Sequence, residues 1–421
     1  MRRRLLVQMD SLVVVAAVSI FANLLLIQTS FAADTTPAKG KIASPPSSSS
    51  NDASKDLKVA RTIKPVKAGA KAPMKSSSMK PKFEIGGSMQ AGGRFTFNQP
   101  DVLRLGESDG FYVRRARITL RGNAGPILGE LSVDGAFDNL AGPLTVSPST
   151  RELQVALRDA FIGYGKKKGF FIAIGQMRVP FGVHVDRSTM GEHFIMFPLM
   201  VVGENISFGY NAPRIFPGRD IGLNLGYKML SEGFELTAQA MVYNGNGGNR
   251  FGNDSDLPAA ALRVNAKISN MIKVGLSGLI NPRRAGDVPL LYDETDMAFS
   301  FDAGLEVSGF FLEIQAAMMM TSFPSTGQET VTRLGGVLDA GYQIPFMQGT
   351  LEIIVRGEYY DPSDQFDDDH LLYITAGVNW FYYVYKEQRL GLRLNYTHKM
   401  ELAESRALNN DQINLMVGYQ L

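Results

Sequence analysis

The chain has no cysteine, which excludes a disulfide framework, a thiolate metal site and a cysteine-held iron–sulfur centre. Only four histidines occur, His184, His193, His370 and His398, and they are scattered. A histidine-only metal site or a Ser-His-Asp triad therefore has few groups to draw on. Ser188 with His184 or His193 is only a coincidence of spacing for a hydrolase. No catalytic residue, metal site or cofactor is assigned, and no nucleic-acid partner is expected. Beyond Ile27 no apolar run approaches the roughly 18–20 residues that a spanning helix needs.

What is present divides the chain into three regions. Arg2, Arg3 and Arg4 precede an apolar run from Leu12 to Ile27, and Ser30-Phe31-Ala32 offers small residues for cleavage. Residues 1–32 therefore read as an export signal, with an uncleaved anchor as the alternative. Residues 33–82 are rich in Lys, Pro, Ser and Ala. From Asp34 to Lys82 they hold eleven basic residues against three acidic ones. Such a segment buries too little apolar surface to offset the entropy of ordering, and reads as a disordered periplasmic linker. It is either a tether to the anionic cell wall, peptidoglycan, or a solvated spacer.

From Phe83 to Leu421 acids outnumber bases by eight, and the dominant period is two. Phe234-Leu236-Ala238-Ala240-Val242 and Ile413-Leu415-Val417-Tyr419-Leu421 are clear cases, with polar, charged or small residues between. Turn signals give sixteen candidate strands, beginning near Phe83, Gly110, Ile127, Leu153, Gly169, Arg219, Gly233, Ala259, Met271, Met297, Gly309, Thr332, Gln348, His370, Lys386 and Asn410. Short connections such as Ser308–Gly309 alternate with long ones such as Val179–Gly218 and Asn281–Asp296. Short periplasmic turns and long external loops are the rhythm of a bacterial outer-membrane barrel. The expected fold is all-β: a 16-stranded antiparallel transmembrane β-barrel over residues 83–421, preceded by the disordered linker. A propeller or solenoid would need a fixed repeat, and none is visible. Trp380-Phe381-Tyr382-Tyr383 and Tyr359-Tyr360 are placed in the aromatic girdle.

Several runs then recur in a familiar order. They are Arg114-Arg115-Ala116-Arg117-Ile118, Asp159-Ala160-Phe161-Ile162-Gly163-Tyr164, Ile174 to Gly182 (with Gly-Gln-x-x-x-Pro-Phe-Gly), Asp220-Ile221-Gly222-Leu223, Tyr243-Asn244-Gly245 and Gly377-Val378-Asn379-Trp380. Together they resemble the phosphate-selective porin O and P family across residues 83–421. The resemblance implies a sixteen-stranded barrel, a homotrimer, and passage of small anions.

Strand parity gives an independent view of the lumen. With Ala116, Ile118 and Leu120 facing lipid, Arg115, Arg117 and Arg121 face the pore. The same parity places Arg94, Arg389 and Arg393 inside, on strands that become neighbours when the barrel closes. Arg114 is assigned outward, at the interface. Asp302, Glu306, Glu313, Asp339, Glu352 and Glu358 line the opposite side, interrupted by Arg333 and Arg356. Rows of arginine favour anions in pores, whereas arginines paired with acids would only hold the pore's shape. The long loop Val179–Gly218 is expected either to fold inward as a constriction, lined by His184, Arg187, His193 and Arg214, or to cap the barrel from outside. Asp361–Asp369 reads as a solvated external loop, bridged through metal ions to lipopolysaccharide phosphates. The competing functions are an anion-preferring porin, a non-selective porin and a structural barrel tethered by its Lys-rich linker.

Overall fold

Hydrocarbon offers no water to an unpaired strand edge, so a membrane-spanning sheet must pair every strand on both sides. The computed structural model does this by closing the sheet into a barrel. It describes residues 81–97, 110–136, 154–165, 168–187, 191–206, 210–212, 214–286, 290–367, 369–385, 388–401 and 411–421. The export signal and nearly all of the linker lie outside the described residues.

The wall runs β1 (Lys82–Thr96), β2 (Gly110–Ala124), β3 (Ile127–Ala136), β4 (Gln154–Gly165) and β5 (Gly169–Arg178). The long connection then carries two helical turns, α1 (Val183–Asp186) and α2 (Leu199–Val202), and a small hairpin, β6 (Glu204–Ile206) with β7 (Tyr210–Ala212). The wall resumes with β8 (Arg219–Ser231), β9 (Phe234–Tyr243), β10 (Ala259–Ile268), β11 (Ile272–Ala285), β12 (Tyr292–Val307) and β13 (Phe310–Phe323). It ends with β14 (Gln328–Phe346), β15 (Gly349–Asp361), β16 (Leu371–Tyr385), β17 (Gln388–Glu401) and β18 (Gln412–Gln420). Sixteen of these form one closed antiparallel barrel, in which β5 pairs with β8 and β18 with β1.

The short turns follow from backbone sterics. Ser308 and Gly309 both adopt positive φ, 50° and 86°, as a two-residue type I′ hairpin requires. Ser269 and Asn270 likewise adopt positive φ, 51° and 58°, in the three-residue connection from Ile268 to Ile272. Most strands begin within two residues of the sequence expectation, but β12 and β14 do not. β12 starts at Tyr292 rather than near Met297, and β11 continues to Ala285, so the expected loop 281–296 is largely a hairpin. Tyr292-Asp293-Glu294-Thr295-Asp296 shows no apolar alternation, and β-pairing there rests on polar pairs such as Arg283 with Glu294 and Asp296.

The barrel is inverted relative to a soluble protein. On β13, Leu312 and Ile314 are exposed while Glu313 and Gln315 are buried. Parity also corrects the aromatic girdle. Trp380 and Tyr382 share one face, with ring centroids 5.9 Å apart, whereas Phe381 and Tyr360 are buried on the lumen side. Consecutive residues in a strand point to opposite faces, so a run of four aromatics is divided between lipid and pore.

Ile314→Arg, on the lipid face, is expected to cost about 2–4 kcal/mol if it lies at the midplane, falling toward zero at the interface. Ile314→Leu should be nearly silent. Reversible urea unfolding in lipid vesicles would measure both; an equally silent arginine would show that this face does not meet lipid.

Candidate pore-lining site

A charged side chain on the lipid face is penalised, so two consecutive charged residues in a spanning strand create a conflict that strict alternation cannot resolve. The barrel resolves it twice with a β-bulge. Between β1 and β2 the pairing steps from Gln90 opposite Arg115 to Ala91 opposite Val113, leaving Arg114 as the extra residue. Between β3 and β4 it steps from Ser132 opposite Asp159 to Val133 opposite Leu157, leaving Arg158 extra. A bulge re-aims one side chain. Arg114, assigned outward by parity, is instead buried in the lumen over the Phe197 ring. Arg158, which parity did not single out, turns inward as well. The sequence signal was the Arg114-Arg115 and Arg158-Asp159 doublets, each of which forces a break in register.

The bulge at Arg158 displaces backbone carbonyls from the ladder, and Gln176 meets them. Its Nε2 donates to the carbonyls of Leu157 and Arg158, at 2.6 and 2.9 Å, while its Oε1 accepts the Asn249 amide. Gly175 is needed beside it, since a Cβ there would lie 2.2 Å from the Ala160 carbonyl oxygen. Asp220 similarly accepts the amides of Gly245 and Gly247. The runs that carried the family resemblance thus hold one another in place.

The six arginines singled out in the sequence all lie on β1, β2 and β17, which with β18 form one stretch of wall. Arg115 and Arg117 share a single carboxylate oxygen, Asp134 Oδ2, with Arg158, at 3.0, 2.9 and 2.8 Å. Three cations on one anion leave this wall basic. Arg94 reaches Asn414 and the sulfur of Met196, and lies 5.8 Å from the Tyr112 ring centroid. Arg389 and Arg393 both lie 5.1 Å from the Phe381 ring centroid. Arg121 pairs with Glu130 near the short turns and stays exposed. Arg115 and Arg393 are enclosed, so they act through their field rather than by touching bulk water.

On the opposite wall the acids have partners. Asp302 is gripped at both oxygens by Arg263, and Asp339 by Arg356. Others hold the connection between β5 and β8, which runs inside the barrel. Gly182 starts the inward course at φ 72°, where a Cβ would lie 2.2 Å from both Phe216 and Gln315. Glu358 accepts the Leu199 amide, Asn395 the Ile195 amide, and Arg356 donates to the Met196 carbonyl. Asn379 donates to the carbonyl of His193, whose ring stacks on Phe311 at 3.9 Å. Val179, Phe181, Leu199, Met200, Ile215 and Phe216 complete the anchorage as an apolar cluster with Met241, Tyr243 and Val337.

Of the four loop residues named from sequence, three come together here. Arg187 pairs with Glu313, His193 lies 3.4 Å from Glu352, and His184 lies 3.3 Å from Glu192. Arg214 lies apart, half-buried near Arg283. Burial alone would raise the Glu192 carboxyl, but His184 and Arg187 hold it down at about 2. Ser188 lies outside the described residues. In the external loop, ligand atoms of Asp361, Asp369 and His370 gather within 4.8 Å.

A family model, phosphate-selective porin O and P, matches residues 304–421. That bears out the resemblance from β12 to the end of the chain, Gly377 to Trp380 included; the Gly175–Gly182 run lies outside the match. No curated protein matches the sequence. Among solved structures, the anion-selective porin from Comamonas acidovorans is similar at TM-score 0.51 and 12% identity, covering 81% of this chain and 99% of its own. The trimer form of OmpT from Vibrio cholerae is similar at 0.50 and 12%, covering 81% and 99%. OmpF of Salmonella typhi, in complex with daunomycin, is similar at 0.53 and 15%, covering 80% and 97%. At these identities the likeness is one of fold. The family match and the closed barrel together make the chain a porin-type outer-membrane channel.

Arg356→Ala leaves Asp339 buried without its partner and removes the donor to Met196. The expected loss is about 3–5 kcal/mol of barrel stability, with a larger and noisier single-channel current as the loop loosens. Denaturant unfolding and bilayer recording would read the two effects; an unchanged current would show that the loop is held by other contacts.

Proposed function

We propose that the chain is a passive pore for small anions, phosphate among them, working as a homotrimer. The observation that carries this reading is the sharing of Asp134 by three guanidiniums on a wall that also holds Arg94, Arg114, Arg389 and Arg393. The opposing acids are paired with Arg263, Arg356, Arg187 and the loop amides, so the uncompensated positive field is that of the arginine wall. Such a field favours anions over cations. Enclosed Arg115, Arg117 and Arg158 supply potential, while Arg94, Arg121 and Arg389 remain within reach of a passing solute. On this reading residues 1–32 are the export signal and residues 33–82 a periplasmic linker within reach of peptidoglycan. The external loops meet lipopolysaccharide.

A second reading, a barrel with a structural role, draws support from the apolar packing of Phe181, Phe197, Met200 and Phe216 across the lumen. Conductance separates the two. In planar bilayers under a salt gradient, the reversal potential is expected to show anion preference. A single charge about 7 Å from the ion path in a water-like medium is worth roughly 0.6 kcal/mol, close to threefold in partitioning. Arg94→Ala combined with Arg389→Ala should therefore lower the anion-to-cation permeability ratio severalfold. Cation preference in the parent protein would sink the anion reading, and absence of current would favour the structural one.

A further inference from the structure

We propose that His184, Glu313 and Asp339 bind a divalent transition cation of the zinc class, which clamps the inserted loop to the barrel wall. Their ligand atoms lie within 4.8 Å of one another, and all three residues are buried. They come from three elements: His184 from α1, Glu313 from β13 and Asp339 from β14. Glu313 and Asp339 face each other directly in the β13–β14 register. Like charges placed directly opposite are destabilising unless something stands between them.

Two observations point to a cation rather than a simple ion-pair cluster. His184 Nδ1 lies 3.3 Å from the Glu192 carboxylate, so the tautomer that donates Nδ1–H to Glu192 presents its Nε2 lone pair as a ligand atom. That Nε2 is buried without a hydrogen-bond partner, and it faces Glu313 Oε1, also buried without one, at 3.7 Å. Asp339 Oδ2 is 4.0 Å from the same nitrogen. In that tautomer acceptor is turned toward acceptor in an enclosed space. A carboxylate behind a histidine whose other nitrogen points at oxygen ligands is the arrangement that orients a metal-binding imidazole. Zinc at about 2.0–2.2 Å from nitrogen and oxygen ligands separates them by roughly 3.4 Å in a tetrahedron. The spacings of 3.7 and 4.0 Å from His184 to the two carboxylates need sub-ångström closure.

The charge balance agrees. Four buried carboxylates, Glu192, Glu313, Asp339 and Glu358, face the guanidiniums of Arg187 and Arg356. Four carboxylates against two guanidiniums leave two negative charges, which one divalent cation offsets. The donor set of one imidazole and two carboxylates suits zinc and its neighbours better than calcium, which takes six to eight oxygens. This inference is independent of the pore's ion preference.

The test uses the full-length protein in detergent, stripped with a chelator and dialysed against micromolar zinc chloride. Metal content and calorimetric titration are read together, and heat-modifiable gel mobility confirms that each variant is folded. The parent protein is expected to retain one zinc per chain, and His184→Ala none at this position. Glu192→Gln keeps every proposed ligand and is expected to bind about 10–100-fold more weakly; it carries the test should His184→Ala not fold. His370→Ala, in the external Asp361–Asp369–His370 group, should leave this binding unchanged. The proposal is overturned by no zinc uptake in the parent, by equal uptake in the parent and the folded variant, or by loss in His370→Ala alone.

Discussion

The interior of this barrel depends on one ion pair, Arg356 with Asp339. Both side chains are almost fully enclosed, and the guanidinium meets both carboxylate oxygens, at 2.6 and 2.7 Å. A buried pair stabilises only when its remaining donors and faces are also satisfied. Here Arg356 gives a third hydrogen bond to the Met196 carbonyl and lies 4.1 Å from the Phe194 ring centroid. The pair therefore does two things at once. It joins β14 to β15 within the wall, and it presents a donor and a cation to the loop that crosses the lumen. The amides of Ile195 and Leu199, which donate to Asn395 and Glu358, flank the Met196 that Arg356 fixes.

The barrel was legible in the sequence because its rule is simple. Period-two alternation, polar turn pairs such as Ser308-Gly309 and the rhythm of short and long connections are local signals, and a lipid environment leaves little freedom in how they assemble. Strand boundaries failed where that constraint lapses. β12 and β11 extend beyond the apolar band as a polar hairpin, held by Arg283 with Glu294 and Asp296, and nothing in hydropathy marks it.

The lumen was legible in outline and wrong in detail for one reason: a bulge breaks the parity on which lumen assignments rest. Arg114 and Arg158 each sit beside another charged residue, and an arginine on the lipid face would cost a few kcal/mol, so the register yields instead. Phe381 and Tyr360 went astray through the opposite error, in which a cluster was read as one surface although neighbouring residues alternate. The Glu313–Asp339 facing and the turn of His184 toward both could not be read at all. They depend on which strand pairs with which and on where a forty-residue loop descends, and both are long-range properties of the closed barrel.

These two walls explain why the acidic excess from Phe83 onward is a poor guide to the field inside. Some acids lie exposed at the rims, as Asp293 and Asp364 do, where solvent and salt screen them. Those inside are largely committed: Asp302 to Arg263, Asp339 to Arg356, and Glu313, Glu352 and Glu358 to the loop. The arginine wall has Asp134, Glu130 and Asp159 to set against its charge; Glu130 pairs with Arg121, and Asp159 is held at both oxygens by Arg219. The acidic side therefore supplies the ion-paired anchors of the loop, and the basic side supplies the field together with the Asn395 and Arg94 contacts. A change on the acidic side moves the loop, and with it the width of the passage, while leaving the basic field in place. A change on the basic side alters the field, and at Arg94, which reaches Met196, and Arg114, which lies over Phe197, it touches the loop as well. Substitutions at Arg94 and Arg356 should consequently couple rather than add, because both side chains hold Met196.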